Sequence, residues 1–313
     1  MPTVLFIDSV HPILEERLTS LGYSCLHDYK SSQEEITANA PGIEGFVIRS
    51  RFTLDKKFLS SFPNLKWIAR SGSGLENIDL VGAKELGILV FNSPEGNRDA
   101  VAEHAIGMLL MLFNKLQHAD REVRQKTWNR EANRGLEICG KTVGIIGCGL
   151  MGLAFAQRLS GFGCTILAYD KYKSNHTPDY IQEVEVEKIY AKADIVSMHT
   201  TLTKETRHFV NDAFFEQFAK PIFFINTSRG PVVETAALVR ALKSGKVLGA
   251  CLDVLEYEET SFEKINLHHD DFEYLAQHEN VILTPHIAGW TKESYVKLSS
   301  VLADKIEAWK NAL

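Results

Sequence analysis

The sequence predicts an α/β protein of two doubly wound parallel-sheet domains, and three observations carry that expectation. Short apolar strands alternate with helical patterns from end to end, the mark of helices layered on parallel sheets. The chain has 313 residues, long for one core and comfortable for two. One stretch, Lys141–Asp170 (KTVGIIGCGLMGLAFAQRLSGFGCTILAYD), reads as a complete strand, glycine turn, helix and second strand ending in a carboxylate.

In the first part the apolar runs predict strands at Val4–Asp8, Ser24–His27, Gly45–Ile48, Leu65–Arg70 and Leu89–Phe91. Between the first two, Ile13, Leu14, Arg17, Leu18 and Leu21 recur at helical spacing within Pro12–Leu21,. Asp99–Thr127 is the longest helical pattern. Its Leu/Met-rich face exceeds what one domain needs and is expected at a domain boundary or a subunit interface. After the glycine turn, strands are expected at Ile195–Met198, Ile222–Asn226, Val247–Val254 and Val281–Leu283, with helices at Asn211–Gln217 and Thr235–Ser244. Lys292–Leu313 is helical in pattern and is expected to fold back onto the first domain. The Asp-, Glu- and His-rich segment Glu256–Glu279 has the weakest pattern and reads as a long surface loop.

Each part of the glycine unit has a physical task. Gly147, Gly149 and Gly152 follow a β-branched run (Val143, Ile145, Ile146) and open a helix with Leu150, Ala154, Phe155 and Leu159 on one face,. Gly147 permits the tight turn, Gly149 leaves room for a pyrophosphate, and Gly152 allows close helix–strand packing. The helix N-terminus, with N–H groups near Leu150 and Met151, faces the phosphates. The second strand, Cys164–Tyr169, delivers Asp170, whose carboxylate can accept hydrogen bonds from both ribose hydroxyls and would repel a 2′-phosphate. The cofactor expected is therefore NAD rather than NADP; Lys171 and Lys173 soften that preference without reversing it.

The formal net charge of −6 argues against nucleic acid as an obligate partner. No apolar run is long enough to cross a bilayer, and the N-terminus lacks a basic region before an apolar one, so a cytoplasmic protein without a membrane partner is expected. The five cysteines, Cys25, Cys139, Cys148, Cys164 and Cys251, show no metal-like spacing and no metal is expected; their apolar neighbours predict small core residues in a reducing compartment. Cys148, inside the glycine turn, reads as a tolerated small residue rather than a reactive one.

Chemistry-bearing residues gather after the later strands, at the rim where doubly wound sheets bind ligands. Asn226-Thr227-Ser228-Arg229-Gly230 places an arginine there, a planar, permanently charged fork suited to a carboxylate or a polarised carbonyl. Asp253 ends the next strand and either holds the cofactor carboxamide or caps a helix; Glu256, Glu258 and Glu259 stand beyond it. Thr284-Pro285-His286-Ile287-Ala288-Gly289 puts a histidine after a further strand.

This arrangement resembles the D-isomer-specific 2-hydroxyacid dehydrogenase family over essentially the whole chain. The resemblance rests on Arg49-Ser50, Ser71-Gly72-Ser73-Gly74-Leu75-Glu76-Asn77-Ile78-Asp79, Phe91-Asn92-Ser93-Pro94 leading into Val101-Ala102-Glu103, the glycine fingerprint, Asn226–Gly230, Leu252-Asp253-Val254 and Thr284–Gly289, in that order. It implies a Rossmann NAD-binding domain over residues 99–289. It further implies a smaller flavodoxin-like substrate-binding domain from 1–98 and 290–313, and homodimers joined through the cofactor domains. It implies catalytic Arg229, Glu258 and His286, cofactor contacts also at His199, Thr200, Thr227, Ser228, Asp253, Ala288 and Gly289, and substrate contacts at Arg49, Ser50, Ser71, Gly72, Ser73 and Asn97. Three departures stand out. A long insertion-like stretch separates Glu258 from His286. Glu259 replaces the proline that usually follows the family's glutamate, spacing favouring Glu258; and Thr201 replaces the proline of His-x-Pro after His199, on the adenine side.

The implied reaction moves hydride between nicotinamide and C2 of a 2-hydroxy or 2-oxo acid. His286 exchanges the proton, an unperturbed imidazole pKa of about 6.5 suiting it; Glu258 fixes its tautomer and Arg229 bridges carboxylate and carbonyl oxygen. Amides around Ser71, Gly72 and Ser73 are expected to form a second anion site. Arg49-Ser50-Arg51 and Asn97 resemble positions used by the phosphoglycerate dehydrogenase branch, with glyoxylate, hydroxypyruvate or lactate-like acids as the alternatives. The sequence ends at Leu313, so an additional regulatory domain is not expected. An NAD-responsive corepressor-like binding protein shares this fold and is the competing reading. A formate dehydrogenase-like reaction needs no proton transfer to a substrate oxygen, and a Glu258–His286 pair argues against it.

Overall fold

The structure is a computed structural model describing residues 1–39, 42–258 and 269–312. Among these, residues 1–39, 42–97 and 290–312 form one compact unit, and 98–258 with 269–289 a second.

In the first unit β1 (Thr3–Phe6), α1 (Ile13–Ser20), β2 (Ser24–His27), α2 (Gln33–Asn39), β3 (Ile43–Ile48), α3 (Lys56–Ser60), β4 (Trp67–Arg70), α4 (Leu80–Glu85) and β5 (Leu89–Asn92) follow one another. The strands form an all-parallel sheet in the order β2-β1-β3-β4-β5, the flavodoxin-like order. Strand alternation divides the apolar residues between two cores. Leu5, Phe46, Ile48 and Ile68 face one side with Phe58 and Phe62, and Val4, Phe6, Val47, Trp67 and Ala69 face the other with Leu14 and Leu18. Both faces are covered, so the strands read as near-continuous apolar runs. The first strand stops at Phe6, short of the expected Asp8, because the Asp8 carboxylate leaves the ladder to accept the amides of Arg49 (2.6 Å), Ser50 (3.1 Å) and Arg51 (3.2 Å).

The second unit takes up the chain within α5 (Pro94–Phe113) and continues through α6 (Leu116–Arg124), β6 (Thr142–Ile146), α7 (Leu150–Leu159), β7 (Thr165–Tyr169), β8 (Gln182–Glu183), α8 (Val186–Lys192), β9 (Ile195–Met198), α9 (Asp212–Glu216), β10 (Ile222–Asn226), α10 (Thr235–Lys243), β11 (Val247–Leu252), α11 (Asp270–Gln277) and β12 (Val281–Leu283). Its seven strands are parallel, in the order β12-β11-β10-β9-β6-β7-β8. Order reverses between β6 and β9, the switch point of a Rossmann sheet.

The remaining helix, α12 (Lys292–Asn311), belongs to the first unit. Leu302, Ala303 and Ile306 are fully buried against Val4, Phe6 and Trp67, so it folds back onto that sheet. Arg17 meets Asp304 and Glu307, each at 2.5 Å. Those pairs are largely exposed and worth little; apolar burial holds the helix.

Several expectations need correction. The helix expected over Asp99–Thr127 is two. It starts earlier, with Pro94 in its first turn, where proline costs no hydrogen bond. It breaks at Lys115, whose φ of 50° is left-handed, while the Phe113 carbonyl is taken by the Leu136 amide at 2.8 Å. The segment Glu256–Glu279 is not wholly loop: α11 lies within it, with Asp270, Asp271 and Glu273 in its first turn where they complement the helix dipole, and buried Leu275 anchoring it; residues 259–268 lie outside the described residues. On α7, Ala154, Phe155 and Leu159 are buried but Leu150 is exposed. The cysteines are all free, yet only Cys148 and Cys251 are buried, and Cys139 is exposed.

Candidate active site

The nucleotide end is built mostly from backbone. Gly147 has φ +90°, and a Cβ there would lie 2.8 Å from the His199 carbonyl; a Cβ on Gly152 would lie 2.3 Å from the Gly147 oxygen. Nothing lies within 4 Å of a Cβ built on Gly149, so the turn leaves open space in front of the helix. Gly149 is also the N-cap of α7 and supplies no side-chain cap, leaving the first-turn amides at Leu150 and Met151 for a ligand. Asp170 ends β7 with one carboxylate oxygen accepting the Cys148 amide and the other the Tyr172 amide, both at 3.0 Å. Lys171 pairs with Glu205, which also accepts the Tyr172 hydroxyl at 2.7 Å, so this lysine is drawn away from softening the NAD preference. The Cys148 thiol is pushed up to about 11, first by burial and then by Asp170, which keeps it protonated and inert at neutral pH. His199 bonds Ser197 Oγ through Nε2 at 2.9 Å and lies against Phe155; loss of hydration pushes it down to about 4, so the ring is neutral. The Oγ1 atoms of Thr200 and Thr227 are buried without a hydrogen-bond partner among the described residues. Such orphaned hydroxyls are costly unless a ligand satisfies them. Open glycine cradle, uncapped helix and orphaned hydroxyls together fit a dinucleotide.

The other end is built from side chains on three neighbouring strand ends. After β10, Asn226 Oδ1 accepts the Ser228 amide (3.0 Å) and hydroxyl (2.7 Å), while its Nδ2 donates to the Arg229 carbonyl at 3.1 Å. This clamps the turn that presents half-buried Arg229. A Cβ on Gly230 would lie 1.9 Å from the Leu255 oxygen, so only glycine lets this turn seat against the chain leading to Glu258. Glu258 Oε1 accepts the Leu255 amide at 2.5 Å, and its Oε2 meets His286 Nδ1 at 2.6 Å. A ring nitrogen facing a carboxylate carries the proton there. His286 sits at φ +55°, uncommon for a side-chain-bearing residue. Its amide donates to the Asp253 carbonyl at 2.8 Å. The Asp253 side chain caps no helix. Its carboxylate accepts the Thr284 hydroxyl (2.5 Å) and the amides of Ile287 (2.9 Å) and Ala288 (2.8 Å), holding the His286 loop from below. Of the two described glutamates, Glu258 reaches His286. Glu256 accepts the Thr235 amide at 2.9 Å and contacts His208 at 2.7 Å, and Glu259 lies outside the described residues.

In the first unit, the Ser73 hydroxyl donates to Asn97 Oδ1 at 2.6 Å, joining two expected substrate residues. The Arg49 guanidinium lies 4.4 Å over the Trp290 ring, and the Ser50 amide is held by Asp8. Arg51 is committed to structure, donating to the carbonyls of Ile7 (3.1 Å), Asp28 (2.6 Å) and Ser31. The expected three-amide anion site needs correction: the Ser71 amide bonds the Ile48 carbonyl at 2.8 Å in continuation of the sheet ladder, and the Gly72 amide bonds Ser93 Oγ at 3.2 Å. Only the Ser73 amide of the three has no such partner among the described residues.

Comparison with known proteins decides the family. Residues 106–288 match the model of the D-isomer specific 2-hydroxyacid dehydrogenase NAD binding domain. The chain belongs to this family. A D-3-phosphoglycerate dehydrogenase of Archaeoglobus fulgidus is 36% identical over 277 residues, 88% of this chain and 51% of that protein. A glyoxylate reductase of Thermofilum pendens is 35% identical over 288 residues, 90% of this chain and 82% of that one. A D-lactate dehydrogenase from Aquifex aeolicus, solved with NAD and lactic acid, has 28% identity and a TM-score of 0.82, covering 99% of this chain and 96% of that one. The chain spans about half the length of the D-3-phosphoglycerate dehydrogenases it matches. Its cofactor is NAD. No helix among the described residues is long and apolar enough to cross a membrane.

For this family member, sequence reading missed His104 and Thr284 as parts of the site. His104 Nε2 lies 3.0 Å from Thr284 Oγ1. The signal available was a polar residue in the apolar face of α5, one position beyond Val101-Ala102-Glu103.

Proposed function

We propose that the chain is an NAD-dependent D-2-hydroxyacid dehydrogenase, exchanging hydride reversibly between nicotinamide and C2 of a 2-hydroxy or 2-oxo acid. The Glu258–His286 contact at 2.6 Å carries this reading, because an imidazole oriented by a carboxylate is what proton transfer to a carbonyl oxygen requires. The residues that would hold the dinucleotide are Gly147, Gly149, Gly152, the α7 amides, Asp170, Thr200 and Thr227. Bound NAD supplies or accepts the hydride; the chain handles the proton and the charge. His286, with Nδ1 committed to Glu258, gives the Nε2 proton to the oxygen at C2 in reduction and takes it back in oxidation. The Glu258 carboxylate fixes the ring and balances its charge. Arg229 grips the substrate carboxylate and stabilises the developing alkoxide.

Among substrates, a phosphorylated acid such as 3-phosphoglycerate and the glyoxylate, hydroxypyruvate and lactate-like acids all fit this chemistry, and the names of the relatives cover both groups. A homodimer is proposed through the apolar surface that follows α5, where Leu116, Val123 and Trp128 are exposed, Trp128 to 80%. A cytoplasmic location accords with five free cysteines,. NADH oxidation measured against phosphohydroxypyruvate, hydroxypyruvate, glyoxylate and pyruvate tests the activity. Turnover of at least one supports it; tight NADH binding with turnover of none would replace it with an NAD-responsive binding protein.

A further inference from the structure

We propose that His104 is a positioning residue for the His286 loop, donating its Nε2 proton to Thr284 and so committing the Thr284 hydroxyl proton to Asp253. The functional part of this inference rests on the reading of His286 as the proton-transfer residue; the hydrogen-bond direction does not.

Proton bookkeeping carries it. Thr284 Oγ1 lies 2.5 Å from Asp253 Oδ1, 3.0 Å from His104 Nε2 and 3.5 Å from Met108 Sδ. The hydroxyl has one proton for these three neighbours. A thioether is a weak acceptor, and a carboxylate at the shortest distance is the strongest. The other side-chain bonds to Asp253 all come from donors, the Ile287 and Ala288 amides. The Thr284 proton therefore points at Asp253, only a lone pair faces His104, and His104 Nε2 must carry a proton. Reversing the chain would turn the hydroxyl away from Asp253 and leave two acceptor oxygens 2.5 Å apart. His104 Nε2 is itself 3.6 Å from Asp253 Oδ1, beyond a hydrogen bond, so its hold on the carboxylate passes through Thr284.

The purpose is visible one step on. Asp253 holds the loop at three amides: Ile287 and Ala288 by its side chain, His286 by its carbonyl. That loop carries an imidazole residue in the left-handed region, a conformation unfavourable for a side-chain-bearing residue and kept only by surrounding contacts. A directed chain from α5 to Asp253 supplies such a contact and fixes the carboxylate rotamer.

Histidine-labelled ¹⁵N NMR of the full chain reads the tautomer, with His104→Gln used to assign the signal. The expected state has Nε2 protonated; a neutral His104 protonated at Nδ1 overturns the proposal, whether or not any acid is turned over. For the functional part, His104→Leu is expected to lower kcat about 10-fold, one hydrogen bond's worth, with KM and the NADH Kd changed less than about twofold. His104→Gln, which keeps an N–H donor, restores kcat to within about threefold of the parent. Should His104→Leu fail to fold, Thr284→Val cuts the same chain from its middle and is expected to lower kcat to a similar extent, about 10-fold. Unchanged kcat in His104→Leu, a His104→Gln variant as impaired as His104→Leu, or unchanged kcat in Thr284→Val would each overturn it.

Discussion

Along the carboxyl rim of the seven-stranded sheet, the turn after β6 and the loops after β10, β11 and β12 are built by different means. The first uses backbone: glycines that admit close approach, the free amides of α7, and one carboxylate at the end of β7. The second uses side chains held by other side chains. Glu258 orients His286, Asp253 supports its loop, and Asn226 braces the turn bearing Arg229. A phosphate asks only for N–H groups and space, which one contiguous segment can offer. Proton transfer asks for an aimed ring and a matched carboxylate, and no single segment supplies both.

This difference predicts separable failures. His286→Ala should show the largest effect, turnover falling about 10²–10⁴-fold while NADH binding persists; steady-state kinetics beside fluorescence titration would show it, and equal loss of both would erase the distinction. Glu258→Gln keeps shape but removes the charge, and a loss of about 10²-fold in kcat is expected, again with NADH affinity preserved. Gly149→Val attacks the opposite end. Its side chain enters open space, so the melting temperature should stay within about 2 °C while the NADH Kd rises about 10-fold or more. A large drop in thermal stability would mean that the space is not free. The smallest effect concerns the loop after β7. Glu183 accepts the amides of His176 (2.8 Å), Asn175 (2.6 Å) and Thr177 (2.9 Å), the His176 bond foremost, and its carboxyl is drawn down to about 2 from 4.5. A carboxylate depressed in the folded state contributes above its ordinary pKa and loses that contribution as pH falls through the folded value. The amide resonances of residues 175–177 should therefore shift as pH falls through about 2 and not near 4.5,, and Glu183→Gln should abolish that titration.

Legibility followed the same division. The glycine turn, its strands and Asp170 were readable because their residues adjoin in sequence and each has one physical task. Arg229 and His286 were readable as polar residues closing apolar strands. Glu258 was separable from Glu256 only once the fold showed Glu256 spent on Thr235 and His208. His104 escaped notice, since its partner Thr284 lies 180 positions away. The anion site at Ser71–Ser73 was over-read: composition says that amides are present, whereas only the ladder and Ser93 reveal that two of them are already used. The break at Lys115 was hidden for a related reason, because the Leu136 amide that takes the Phe113 carbonyl comes from a distant part of the chain.

By itself, the sequence determined the layered α/β plan, the two sheets and the dinucleotide turn, because periodicity and glycine placement are local properties of the chain. The tertiary structure alone decided which carboxylate meets His286, which amides remain for a ligand, and that Asp253 supports a loop instead of capping a helix. Those outcomes depend on hydrogen-bond partners far apart in sequence, and each donor proton or acceptor lone pair can be committed only after folding has brought its competitors together.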